Sequence, residues 1–215
     1  MIDVSRSKGF FDPEKQSIKI KVVGAGSVGS WVVLGLAKMG FRDIDVWDFD
    51  TVEVANVSPQ LYRKEDLGKT KVEALKQIVK EFADTDINIH NEKIEAGTNL
   101  PIDLNSVWVF CLDSLEARKL IYEKIKRLPI PIVDARMGGE GYNIQVILNS
   151  EQKAEYEKSL TGEAGELPCG LKAVCYTNLS LAGETVNILK RLNNKENVPR
   201  IMFREMKAPE ILAGT

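Results

Sequence analysis

The feature that most constrains this chain is the turn Gly24-Ala25-Gly26-Ser27-Val28-Gly29, set between a β-rich run, Ile18 to Val23, and a helical pattern from Ser27 to Met39. Glycines at these three positions let a strand turn sharply into a helix while the backbone stays open to close approach. The first N–H groups of a helix have no intrahelical acceptor and mark its positive pole, so such a turn favours a phosphate. An acid, Asp48, ends the next β-rich run, Ile44 to Trp47, where a carboxylate can accept hydrogen bonds from ribose hydroxyls. Gly24, Gly26, Gly29 and Asp48 therefore predict a bound adenine nucleotide. Taken alone, they do not separate a dinucleotide from ATP.

Downstream, short β-rich runs alternate with helical periodicity, the pattern of βαβ units. Strands are predicted at Ile87 to Ile94, Val107 to Leu112 and Ile130 to Asp134, with helices at Thr70 to Phe82 and Leu115 to Leu128. After Gly138-Gly139-Glu140-Gly141 the character changes. Tyr142 to Leu148 reads as a strand added antiparallel after a short reversal, Glu151 to Leu160 as a surface helix, and Thr161 to Gly170 as an exposed loop. A long helix from Ala173 to Leu192 and a last strand, Arg200 to Met206, complete the pattern. The predicted fold class is α/β, a Rossmann-like doubly wound, mostly parallel sheet with antiparallel C-terminal strands.

Composition removes several function classes. Lys and Arg total 29 against 31 Asp and Glu, so no basic field gathers nucleic acid. The most apolar stretch, Val22 to Met39, is interrupted by glycines and predicts no membrane span. The three cysteines, Cys111, Cys169 and Cys175, form neither a disulfide framework nor paired Cys-x-x-Cys knuckles, so structural zinc is not expected and a reducing cytoplasm is. The single histidine, His90, sits in an alternating segment and is expected to be structural, which disfavours mechanisms that need an imidazole.

The run from Trp47 to Lys71 carries Asp48-x-Asp50-x-Val52, Asn56 with Gln60 close behind, Arg63, and Gly68-x-x-Lys71 at a helix start. Lys71 and Arg63 are suited to a triphosphate, the arginine through its planar fork, and Asn56 and Gln60 to ribose and phosphates. Asp113 ends an apolar strand, where a carboxylate suits magnesium on ATP phosphates or, as the plainer alternative, a helix N-cap. In this order the residues resemble the ThiF/MoeB/HesA family and the related ubiquitin-activating enzymes, and the likeness runs from about Val22 to Leu192.

The resemblance implies one adenylation domain over residues 1–215, with an N-terminal arm at 1–17 and a crossover loop at 161–172. It implies Mg-ATP as cosubstrate, with Asp113 as the metal-binding catalytic residue followed five positions later by Arg118. The partner it implies is a ubiquitin-like or sulfur-carrier protein ending in Gly-Gly, whose terminal carboxylate is adenylated by a homodimer. Arg6 would reach into the neighbouring subunit's site. Cys169, in Cys-x-x-x-x-Val just before the long helix, matches a functional cysteine of ThiF-like proteins, and a helix N-terminus favours a thiolate. Cys111 and Cys175 read as packing residues.

This chain departs from the family at Pro59, where many members carry an arginine before the glutamine, so one phosphate-contacting cation is missing unless Arg63 or Arg6 substitutes. Two other readings stay open. An NAD-binding Rossmann oxidoreductase is supported by the glycine turn and Asp48 alone, and a non-catalytic nucleotide-binding family member by Pro59.

Overall fold

The computed structural model describes residues 2–161 and 173–206. The parallel part of the sheet contains β1 (Lys19–Val23), β2 (Ile44–Trp47), β3 (Asn88–His90), β4 (Ser106–Phe110) and β5 (Ile132–Gly138). Two further strands, β6 (Gly141–Ile147) and β7 (Ile201–Glu205), pair antiparallel. The order across the sheet is β3-β2-β1-β4-β5-β6-β7. The order reverses direction between β1 and β4, and the crevice beyond the carboxyl ends of those strands is where open α/β sheets bind ligands.

Helices cover both faces. Helices α1 (Gly29–Met39), α2 (Lys71–Ala83) and α5 (Cys175–Asn193) bury Val32, Val33, Leu75, Ile78, Leu181 and Ile188 against one side. On the other, α3 (Leu115–Ile125) and α4 (Ser150–Ser159) pack Ile121, Tyr122 and Tyr156 around Trp108 and Ile132. The parallel strands are apolar on both sides for this reason: β4 is buried at all five positions.

Most strands fall within one or two residues of the sequence expectation, and two depart further. β3 is three residues rather than the expected Ile87 to Ile94, because it pairs only with the short β2, from Asp45↔Asn88 to Trp47↔His90, and the ladder then has no partner strand. β5 begins after Pro131, which has no N–H to donate although its carbonyl accepts from the Trp108 N–H at 3.0 Å, and runs on to Gly138 because the hairpin with β6 supplies partners as far as Gly138↔Gly141. His90 stacks on Trp47 with centroids 4.0 Å apart and its Nε2 lies 3.2 Å from Asp45, the structural role expected of it. Among the described residues, no helix is long and apolar enough to cross a membrane.

The N-terminal arm lies at the amino ends of the parallel strands. Phe11 stacks on Phe41 at 4.1 Å, and Asn194 Nδ2 donates to the Phe10 carbonyl at 2.7 Å. Val4 and Pro13 crowd Gly40, which ends α1 with φ +97°.

Candidate functional site

The glycine turn owes its shape to close backbone contacts. A Cβ on Gly29 would stand 1.8 Å from the Gly24 carbonyl oxygen, and one on Gly24 2.6 Å from that of Cys111. Gly24 also takes φ +95°, a region that side chains disfavour. Around Gly26, by contrast, a Cβ would meet nothing within 4 Å among the described residues, which leave this part of the turn open. No side chain caps α1; the Ser30 N–H donates to the Gly26 carbonyl at 3.1 Å, and the other N–H groups at this end can meet a ligand. That opening, lined by backbone donors at a helix end, fits a phosphate.

Two side chains clasp Ala25. Its N–H donates to Asp48 Oδ2 at 2.7 Å, and its carbonyl accepts from the Tyr62 hydroxyl at 2.6 Å. The other oxygen of Asp48 accepts from the Asp50 N–H at 2.8 Å. Burial pushes the Asp48 carboxyl up, opposed by the nearby Lys71 ammonium. Each carboxylate oxygen retains an acceptor position, so a ribose hydroxyl remains within its capacity. Tyr62 was not singled out from sequence, since nothing local marks a tyrosine 37 positions away as a partner of the turn.

Lys71 opens α2, where Thr70 is the N-cap and accepts from the Glu73 N–H. The Lys71 ammonium is 8% exposed and donates to Asp50 Oδ2 at 2.7 Å, while its N–H donates to the Asp50 carbonyl at 2.9 Å. Asp48, Asp50 and Lys71 thus form one connected group beside the turn. On the other side of the switch point, Val23 pairs with Phe110 and the Cys111 N–H donates to the Val23 carbonyl at 2.8 Å. Asp113 stands two residues beyond Cys111, exposed, with no hydrogen bond or ion pair among the described residues. Ser114, not Asp113, caps α3 by accepting from the Ala117 N–H at 3.2 Å. A solvent-facing carboxylate in the ligand crevice fits a magnesium ion that takes most of its other ligands from phosphate and water.

The ThiF family profile matches residues 13–202. The chain belongs to the ThiF family. It is 38% identical over 116 residues to the NEDD8-activating enzyme E1 catalytic subunit of Arabidopsis thaliana, a match covering 53% of this chain and 25% of that protein. It therefore spans about a quarter of the length of that relative. Among solved structures, E. coli MccB with ATP superposes with a TM-score of 0.72 at 16% identity, over 94% of this chain and 67% of that one. E. coli tRNA N6-threonylcarbamoyladenosine dehydratase, TcdA, does so at 0.69 and 16%, over 89% and 94%.

Within this ThiF-family chain the other expected residues divide. Arg63 is a correction: its guanidinium, expected at the triphosphate, donates to Asp66 at 2.9 Å and to Glu81 at 2.6 Å, carboxylates outside the glycine turn. Asp66 is fully buried, and against that burial Arg63 and Lys69 hold its carboxyl down to about 2. The group is structural. Its depressed pKa contributes stability above the ordinary carboxylate range that disappears as pH falls from about 4 to about 2. Asp66→Asn is therefore expected to cost on the order of 2 kcal/mol at pH 7 in urea denaturation, and the gap from wild type should close below pH 2.

Asn56 is committed to its own turn, with Oδ1 accepting from the Glu53 N–H at 2.9 Å. Gln60 keeps a buried Oε1 with no hydrogen-bond partner among the described residues. Pro59 brings no cation, but its carbonyl is held by Trp31 Nε1 at 3.2 Å and Asn178 Nδ2 at 2.7 Å, fixing this segment to α1 and α5. Arg6 is exposed on the arm, at the end of α1 opposite its own glycine turn. Those ends are separated by the length of an 11-residue helix, roughly 16 Å. Cys169 lies outside the described residues. Cys111 is buried as expected, its thiol pushed up to about 12 by burial. Cys175 is a second correction: it is exposed, because the first turn of α5 turns Thr177 and Asn178, not Cys175, to the core.

Beneath the Asp113 loop lies a group not foreseen from sequence. Arg118 pairs with the fully buried Asp134, which also accepts from Arg136 Nε and the Tyr156 hydroxyl, each at 2.7 Å. In the sequence Arg118 is marked by its place five positions after Asp113, while Asp134 and Arg136 show only as an acid and an arginine two apart in an apolar strand. Finally, a groove of about 660 Å³ opens at the carboxyl rim, between the β5–β6 hairpin tip at Gly138 to Gly141, Tyr176 and Phe203.

Proposed function

We propose that this chain uses Mg-ATP to adenylate the C-terminal glycine carboxylate of a ubiquitin-like or sulfur-carrier protein, releasing pyrophosphate. The observation that carries this reading is the exposed, uncommitted Asp113 across the switch-point crevice from the uncapped end of α1. A hydride-transferring NAD site has no use for that carboxylate or for the Lys71–Asp50 pair.

The reaction needs no general base. The carrier's carboxylate oxygen forms a bond to the α-phosphorus, the bond to the β-phosphate breaks, and pyrophosphate leaves with the electron pair. The glycine turn holds phosphate oxygens through backbone N–H groups, and Asp48 orients the ribose. Lys71, released from Asp50, neutralises the triphosphate. Asp113 would hold a magnesium ion, which when bound with ATP would supply Lewis-acid stabilisation of the developing charge. The groove at the hairpin tip gives an extended tail a route along the rim. Pairing as a homodimer, a location in the cytoplasm and a role of Arg6 in the second subunit belong to the same reading.

The test is magnesium-dependent exchange of labelled pyrophosphate into ATP in the presence of carriers ending in Gly-Gly. Exchange that depends on the carrier's free carboxylate is expected. Binding of NADH in preference to ATP would sink the reading, and ATP binding without exchange across a carrier panel would favour the non-catalytic alternative that Pro59 suggests.

A further inference from the structure

Two segments with no shared strand or helix, the loop carrying Asp113 and the last turn of α4, meet at one buried carboxylate. We propose that Asp134 is a positioning residue of the adenylation site, fixing the Asp113 loop through Arg118 and the end of α4 through Arg136. The proposal rests on the adenylation reading above.

Asp134 has no exposed surface and lies on β5 opposite Phe110 of β4. One of its oxygens faces Arg118, and the other accepts from Arg136 and Tyr156. Arg118 sits in the first turn of α3 and donates from its second nitrogen to the carbonyl of Leu112, the residue immediately before Asp113, with a longer bond of 3.3 Å to Ala135. A guanidinium is a rigid fork, so orienting one arm orients the other. Asp134 in this way sets the position of the peptide on which Asp113 hangs.

The second arm of the bridge is equally specific. Arg136 donates to Ser159 Oγ at 3.1 Å and to the Ser159 carbonyl at 3.4 Å, two residues before Thr161. Ser159 Oγ in turn donates to the Tyr156 carbonyl at 2.7 Å, and the guanidinium lies 5.4 Å from the centre of the Tyr156 ring. Stability alone is a weak reason for such a group, because buried ion pairs are often replaceable by apolar residues without loss. What it provides is registry. A carboxylate that holds a metal ion must stay within about 0.5 Å of its working position, and Asp113 has no bonds of its own among the described residues to keep it there.

The experiment is hydrogen exchange with mass spectrometry on the full chain, paired with exchange kinetics, for Asp134→Asn. Deuterium uptake is expected to rise in peptides covering both 111–117 and 156–161 while 24–29 is unchanged. The kcat for pyrophosphate exchange should fall by about 10- to 100-fold, as for other residues that orient a metal ligand. The KM for ATP should stay within about twofold, since the turn that binds it is untouched. Uptake that rises in one segment only, or throughout the chain, would overturn the bridge, as would unchanged kcat.

Should Asp134→Asn fail to fold, Arg136→Gln removes only the α4 arm at a partly exposed site. Uptake should then rise at 156–161 and stay unchanged at 111–117, where the Arg118 arm is intact; unchanged uptake at 156–161, or a rise throughout the chain, overturns the proposal. A wild-type chain without any exchange activity would remove the adenylation reading, whereas the two uptake patterns still decide whether Asp134 couples the segments.

Discussion

Gly29→Ala is expected to abolish high-affinity ATP binding and to destabilise the fold, whereas Gly26→Ala should lose affinity at unchanged stability. The two glycines of one turn answer to different demands. A methyl on Gly29 would be driven to 1.8 Å from the Gly24 carbonyl oxygen and 3.2 Å from Cys111 Cβ, and neither atom is the loose end of a flexible side chain. The turn must open or α1 must retreat. Overpacking of this kind costs about 1–3 kcal/mol. Displacing the backbone donors takes them out of hydrogen-bond distance of the phosphate oxygens, so affinity should fall with them.

Gly26 meets none of the described residues within 4 Å of an added Cβ, so stability should stay within about 0.5 kcal/mol of wild type. The methyl instead occupies room assigned to the phosphate. Thermal melts beside titration calorimetry with Mg-ATP separate the cases. Equal stability losses for both variants would mean that Gly26 serves the fold and not a ligand, and would weaken the assignment of the nucleotide to this turn.

That contrast marks how far the sequence could be read. The strand-turn-helix unit was legible because glycine spacing and apolar periodicity are local signals, and Asp48, Lys71 and Asp113 were legible because each closes or opens a recognisable element. Local signals also misled. Arg63 has the chemistry of a phosphate ligand, but only the fold shows that Asp66 and Glu81 already occupy its fork. The length of β3 depends on how far β2 extends, which is a property of the pair and not of either run. Tyr62 on Ala25 and Asp134 on Arg118 are contacts across 37 and 16 positions that arise from the winding order of the sheet. Tyr62 and Asp134 support the site from outside the motifs, so no motif announces either of them.

Asp113→Ala offers the largest effect on turnover with the least effect on structure. The residue is exposed and makes no bond that the fold requires, and α3 keeps its N-cap because Ser114 performs that task. Had Asp113 been the cap, its loss would cost about 0.5–2 kcal/mol. As a surface carboxylate it should change stability by about 0.5 kcal/mol or less, and an unshifted melting curve is the first expected result. ATP bound on the glycine turn and Asp48 should lose only a few-fold in affinity, because those contacts lie on β1 and β2 while Asp113 follows β4.

Pyrophosphate exchange should nevertheless fall about 100- to 1000-fold, the usual consequence of removing one group that stabilises charge developing in the transition state. Raising magnesium should recover little, since the carboxylate supplies a ligand position and not merely occupancy. Comparing kcat with the KM for ATP decides the matter. A loss that appears in KM alone would make Asp113 a ground-state binding group, and retention of wild-type exchange would remove it from the catalytic role and leave the crevice without its metal-binding acid.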